Sequence, residues 1–159
     1  EAKPGLYVPL STLARAFGIT VPFRPIHLFD YIDRRLAVLA DRIKPLNQVI
    51  AYQRPCSNRL CPETDAVLDR IFEKIGAIRA PREYDRDNAL CCGGVPRAHQ
   101  RDETADDLVE RNISDMLKVK AVYCVFNCPF CMATMAQEVA GRGLMPILVS
   151  DLVQAALGE

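Results

Sequence analysis

Five of the seven cysteines in this chain fall into one pattern: Cys56, then the adjacent pair Cys91 and Cys92 followed by Gly93 and Gly94, then Cys128-Pro129-Phe130-Cys131. There are 34 residues between Cys56 and Cys91, and 35 between Cys92 and Cys128. Adjacent cysteines make a poor disulfide framework and an unusual zinc site. They are suited to placing several thiolates around more than one metal ion. Soft thiolate donors point to zinc or iron–sulfur ligation. Buried structural thiols and a plain zinc site remain open alternatives for the same five residues.

The segment around Pro129 adds a physical reason. With Pro129 as the first helical residue, Cys128 is the N-cap and Cys131 the third helical position. Both sulfurs then lie near unpaired backbone N–H groups at the positive end of a helix dipole, which favours thiolate or sulfide charge. Gly93 and Gly94 allow positive φ and a close backbone approach to a bulky group. Amide donors to cluster sulfur are one way a protein sets a reduction potential.

Other reactive side chains have weaker claims. Cys61 precedes Pro62 and is a candidate extra ligand, resolving thiol or helix N-cap, with its place at a helix N-terminus favouring thiolate. Cys124 sits mid-strand and reads as a small core residue. His27 opens a helix and reads as structural. His99 follows the glycine pair and is a candidate proton donor beside the cysteines. Arg59, Arg97 and Arg101 can add positive potential there, although a solvated surface is their default reading. Met132 and Met135 read as core filling.

The elements that must position these residues alternate between strand and helix. Leu28, Phe29, Ile32, Leu36, Leu39 and Ile43 share a helical face that Pro45 ends. Residues 48–52 read as a buried strand closed by Pro55. Pro62 opens a helix with Glu63 and Asp65 in its first turn, and Gly76 ends it. Residues 77–79 are a second strand. Asp102 caps a helix with an inner face of Ala105, Leu108, Val109, Ile113, Met116 and Leu117. Residues 121–125 are the clearest strand, Pro129 starts a helix ending at Gly141 or Gly143, 145–149 is a last strand and 151–157 a last helix. This pattern predicts an α/β fold, a single domain with a mostly parallel sheet flanked by helices on both faces. Residues 1–26, with four prolines, read as an irregular N-terminal lead-in with a short helical piece near 11–17, and 27–159 as the domain. Cys56, the 91–92 pair and Cys128 all follow strands or the loops after them. Three loops from one sheet edge, at the carboxyl ends of parallel strands, can therefore gather all five thiols.

The totals set limits. A chain of 159 residues is one domain by length, and that size buries roughly 68–70% of its unfolded surface. Lys+Arg and Asp+Glu are both 20, so net charge gives no reason to expect nucleic acid or an anionic membrane as partner. No apolar run approaches a membrane span. Seven cysteines, an odd and sparse set, fit a reducing compartment better than a disulfide scaffold, so a cytoplasmic setting is expected, or one peripheral to a membrane complex. The chain starts at Glu1 and reads as a trimmed piece of a longer polypeptide.

The flanking residues extend the cysteine pattern into a resemblance. Tyr52-Gln53-Arg54-Pro55-Cys56, Asp87-Asn88-Ala89-Leu90-Cys91-Cys92-Gly93 and Asn127-Cys128-Pro129-Phe130-Cys131 resemble the motifs of the CCG cysteine-rich domain. That domain occurs in the cysteine-rich subunits of heterodisulfide reductase, in the glycolate oxidase iron–sulfur subunit and in related redox proteins. The resemblance covers residues 27–157. It implies a [4Fe-4S]-type cluster, described for some members as non-cubane, with Cys56, Cys91, Cys92, Cys128 and Cys131 as ligands and Gly93 and Gly94 lining the cofactor. It implies disulfide, quinone-linked or small-molecule redox chemistry, and as partners other redox subunits or a second CCG half. Two departures stand out: Gly94 is followed by Val95-Pro96 rather than more glycine, and the motif occurs once. These departures favour a second reading, a zinc-binding or metal-free docking module. A thioredoxin-like dithiol enzyme using Cys128 and Cys131 fits poorly, because the CxxC comes late in the chain and not after the first strand of a βαβ unit.

Overall fold

The computed structural model describes residues 12–20 and 26–158. Four strands, β1 (Gln48–Gln53), β2 (Ala77–Arg79), β3 (Tyr123–Phe126) and β4 (Met145–Leu148), form one sheet in the order β2-β1-β3-β4. Every neighbouring pair is parallel. The α/β fold expected from the sequence is the fold observed. The strands are linked through α1 (Leu28–Val38, preceding β1), α2 (Glu63–Lys74), α3 (Gly94–Ala98), α4 (Asp102–Lys118), α5 (Pro129–Gly141) and α6 (Val149–Leu157). Of the predicted lead-in, residues 12–16 are helical; most of the rest lies outside the described residues. Among the described residues no helix is long and apolar enough to cross a membrane.

Side chains alternate across the central strands. Ile50, Tyr52 and Val125 face one core with α1, α2 and α6 side chains, including Leu36, Leu68, Phe72 and Leu152. Ala51, Cys124 and Phe126 face a second core with Val109, Ile113 and Met116 of α4 and Met135 and Val139 of α5. Burying each of the larger side chains contributes roughly 1.5–3 kcal/mol. Because β1 is covered on both faces, it reads as an apolar run rather than an alternating one.

Several predicted boundaries shift for physical reasons. The α-helical part of the first run stops at Val38, and a 3-10 turn over Ala40–Arg42 carries the chain toward Pro45. Pro62 is the N-cap of α2, with Glu63 its first residue, and Arg101, not Asp102, is the N-cap of α4. Strand β3 starts at Tyr123, two residues later than expected, because Lys120 takes a left-handed conformation at φ 52°. Val122 still donates its N–H to the Val49 carbonyl at 2.9 Å. Val149 opens α6 instead of ending β4. Residues 94–98, expected as loop, form α3, whose third residue is Pro96. Proline fits the first turn of a helix because the N–H it lacks has no intrahelical partner there.

The strand order gives the sheet a switch point. The chain leaves β1 toward β2 on one side and returns to β3 and β4 on the other. The crevice for a ligand in such a sheet lies at the carboxyl ends of the two strands where the direction reverses, here β1 and β3.

Candidate metal centre

Each cysteine-bearing segment starts at that crevice. Cys56 follows β1 after two residues and begins a 3-10 turn, Cys56–Leu60. Cys128 follows β3 and is the N-cap of α5, with φ −120° and ψ 115°, and Pro129 is its first helical residue. The expected placement of this segment is the one observed, but the thiolate-favouring effect expected at Cys131 is reversed by its neighbouring thiols and burial. The loop after β2 crosses the sheet and delivers Cys91 and Cys92 just before α3. Register sets the two central segments side by side, since Gln53 of β1 pairs with Phe126 of β3.

The thiols meet. Cys131 is hydrogen-bonded to both Cys128 and Cys92, and these bonds, with burial, hold its thiol protonated well above the ordinary range. The hydrogen bond from Cys131 acts in the opposite sense on Cys92, holding it down to about 6 against the effect of burial, with the Gly94 N–H as a further donor. Burial pushes Cys91 up while the Gly93 N–H pulls it down; Cys92 and Cys56 lie close enough to raise it electrostatically. Cys91, Cys92, Cys131 and Cys128 are thus linked side chain to side chain, and Cys56 lies within electrostatic range of Cys91. Cys92 and Cys131 are buried, Cys91 and Cys128 half-buried and Cys56 exposed, so the group opens to solvent at the Cys56 end.

The other candidates have partners of their own; Arg59 donates to the Ala89 carbonyl, just before the cysteine pair, at 3.3 Å. Cys124 is fully buried in β3, with its sulfur 3.4 Å from Met116 Sδ, and burial pushes it up to about 12. Cys61 is buried at the end of the 3-10 turn. Its thiol is pushed up by burial and by Glu63, the reverse of the thiolate-favouring effect expected from its helix position. Burial is the larger cause, and the Glu63 carboxylate adds to it. His27 is the N-cap of α1, accepting from the Phe29 N–H at 3.4 Å. His99 is the exposed C-cap of α3, and Arg97 pairs with Asp106 at 2.7 Å on the surface.

Polar side chains that the motif reading passed over build the walls. Asn58, fully buried inside the 3-10 turn, donates to the Tyr52 hydroxyl at 3.2 Å and to Asp65 at 3.0 Å. Its own oxygen accepts from Asn127, the residue before Cys128, at 3.4 Å. Asn58 therefore ties the Cys56 turn to the Cys128 turn. Arg54, 4% exposed, is paired with Asp65 at 2.5 Å, which fixes the same turn to α2. The available signal was the run of polar residues Gln53, Arg54 and Asn58 around an apolar strand end, where a buried polar group needs a partner.

Glycine is required at position 93. Gly93 is the N-cap of α3 with φ 83°, and a Cβ there would lie 2.9 Å from the Ala105 carbonyl oxygen of α4. Gly93→Ala is expected to lose at least about 1–2 kcal/mol from backbone conformation alone, with the clash adding to it. Urea unfolding measures the loss; a variant as stable as the parent would show that the turn has another conformation. At Gly94 a Cβ would meet the Phe130 ring at 2.5 Å and Thr134 Oγ1 at 2.8 Å. Its hydrogen atom lets α3 pack on the start of α5. Beside this contact a groove of about 450 Å³ runs between α3 and α5, lined by Arg97, Phe130, Thr134 and Glu138 among others.

Among the described residues no three Cys, His, Asp or Glu side chains form a ready-made single-ion site. The joined group consists of sulfur donors, with two backbone N–H groups already directed at them. Thiolates suit zinc and iron–sulfur groups, and amides donating to sulfur are the usual outer support of such groups. Loading would displace the protons now shared among Cys92, Cys128 and Cys131, since the ligating form is the thiolate. The residues present fit a thiolate-ligated group.

A parallel α/β sheet with thiols from three loops brought to its switch point defines a cysteine-rich α/β domain. The family model for the CCG cysteine-rich domain matches residues 50–136, more than half of the chain, and the chain belongs to that family. No curated protein matches it.

Proposed function

We propose that this chain is the cysteine-rich unit of an iron–sulfur oxidoreductase, of the heterodisulfide reductase or 2-hydroxy acid oxidase type, with residues 27–159 as the unit and 1–26 as a lead-in. Cys56, Cys91, Cys92, Cys128 and Cys131 are its ligands, and Gly93 and Gly94 bring the backbone against the cofactor. The observation that carries this reading is four linked thiols from two loops, with Cys56 of a third loop in electrostatic range, at the carboxyl ends of β1 and β3. A single zinc ion needs four ligands. A fifth sulfur, and two of the five on adjacent residues, suit a group with more than one metal.

When bound, a [4Fe-4S]-type cluster would supply one-electron chemistry to a disulfide, quinone-linked or small-molecule acceptor. The residues of this chain hold the sulfurs, donate backbone N–H groups to them and exclude water at Cys92 and Cys131. The exposed position of Cys56 makes its end the side from which an electron partner, another redox subunit or a second CCG half, has access.

Iron, sulfide and zinc per chain, measured on anaerobically purified protein, test the reading. Several irons with matching sulfide are expected. Stoichiometric zinc, or no metal in folded protein, would move the assignment to a zinc-binding or docking module.

A further inference from the structure

Three consecutive carbonyl groups lead into the cysteine pair, and each is held by a side chain from elsewhere in the chain. Arg59 Nη2 donates to the Ala89 carbonyl at 3.3 Å. Gln53 Nε2 donates to the Leu90 carbonyl at 3.1 Å. Asn112 Nδ2 of α4 donates to the Cys91 carbonyl at 2.9 Å. Gln53 and Arg59 sit on either side of Cys56 in sequence, so two of the three holds come from the segment that carries the first cysteine.

These bonds fix peptide orientation. A carbonyl engaged on one side of the backbone cannot turn without breaking its bond. The N–H groups that follow, of Gly93 and Gly94, donate to the sulfurs of Cys91 and Cys92. Gln53 is 1% exposed and Asn112 is 0% exposed, so water cannot replace the amide donors they supply. Functional constellations are most effective when a surrounding shell holds them in place before the ligand arrives, because less ordering is left to the binding step.

The geometry points to a carbonyl clamp: Gln53, Arg59 and Asn112 preset the Cys91–Cys92 turn and lock it to the Cys56 segment before any metal binds. They are positioning residues and act through the backbone. The clamp's purpose rests on the ligand assignment above, whereas the clamp itself is a property of the metal-free chain.

Amide hydrogen exchange of Gly93 and Gly94 in metal-free protein tests it, with Arg59→Ala, Arg59→Lys and Gln53→Met compared with the parent. Arg59 is exposed, so its variants keep the core intact, and Gln53→Met keeps length while removing the donor. Exchange at Gly93 and Gly94 is expected to quicken on the order of five-fold for each bond removed. Arg59→Lys should bring it back toward the parent rate, and the Val125 amide in β3 should not respond to either Arg59 variant. Unchanged Gly93 and Gly94 exchange in Arg59→Ala and Gln53→Met overturns the clamp; if Gln53→Met unfolds, Arg59→Ala decides alone. Iron and sulfide uptake by the parent chain is read in parallel. Uptake with unresponsive exchange would remove the clamp and keep the ligand assignment. Responsive exchange without uptake would do the reverse.

Discussion

Under the proposed cluster assignment, Cys92→Ser is expected to lose most of the iron and sulfide that the parent chain takes up while leaving the fold intact. Cys92 is the centre of the thiol group: it contacts Cys131 and Cys91 and receives the Gly94 N–H. Serine is nearly isosteric, so the turn can persist, but a hydroxyl is a hard, weakly acidic donor that does not replace a thiolate on a soft metal. The control is Cys124→Ser. Cys124 is also fully buried, yet its neighbours are Met116 and the β3 core. Placing a hydroxyl there is expected to cost about 1–3 kcal/mol and to leave metal content unchanged. Iron and sulfide analysis with urea unfolding on both variants separates the roles. Full metal content in Cys92→Ser would remove Cys92 from the ligand set.

Asp115→Ala is expected to cause the largest loss of stability outside the cysteine group. The loop after β2 is held by an ion pair with almost no exposure: Arg82 Nη1 lies 3.2 Å from Asp115 Oδ2, and the two side chains are 0% and 3% exposed. Asp115 also accepts the Tyr84 N–H at 2.9 Å, and Arg82 donates to the Tyr52 carbonyl of β1 at 2.6 Å. Arg82 Nε has no partner, so the guanidinium depends on the contacts it has. Burial lowers the Arg82 pKa, with Asp85 and Asp115 opposing that shift. Removing the carboxylate takes away the directly paired counter-charge of a buried cation and leaves only the Asp85 field opposing its burial, a change worth up to about 3–5 kcal/mol. For a chain of this size that is a fall in Tm on the order of 10 °C. Replacing both partners by apolar residues removes the buried charge, so Arg82→Met with Asp115→Leu should lose less than Asp115→Ala alone. Thermal melts of the parent, the single variant and the double variant decide it. An Asp115→Ala chain melting within about 2 °C of the parent, an interval corresponding to about 1 kcal/mol or less, would show that solvent reaches the site and screens the charge.

The sequence revealed the parts of this protein that depend on periodicity and on rare residues. Strands 48–52 and 77–79 were legible because both faces of β1 are covered and turn residues bound them. The gathering of Cys56, Cys91, Cys92, Cys128 and Cys131 was legible because their loops all follow parallel strands. The role of Pro129 at the first helical position could be read directly from its chemistry. What could not be read depends on tertiary partners. Nothing in Gly94-Val95-Pro96 distinguishes a loop from a one-turn helix until α4 and α5 are there to pack on it. Lys120 at positive φ, which delays β3, is set by the turn after α4 rather than by any lysine preference. Asn58 and Asn112 are ordinary polar residues in sequence, and their importance comes from burial at 0% exposure. The thiolate-favouring position expected for Cys61 was overridden first by burial, which depends on tertiary packing, and then by Glu63 two residues away.

The strand order also dictates when the cysteine group can exist. β1 and β2 pair within the first half of the chain, but β1's other neighbour is β3, which begins at Tyr123. A nascent chain leaves the ribosome N-terminus first and can close the β1–α2–β2 unit early, while Cys56 waits without its neighbours. The contacts that join Cys92 to Cys131 span a long stretch of sequence, and closures of this kind come late and slowly in folding. The full thiol group therefore cannot assemble until α5 has emerged and docked on the finished sheet.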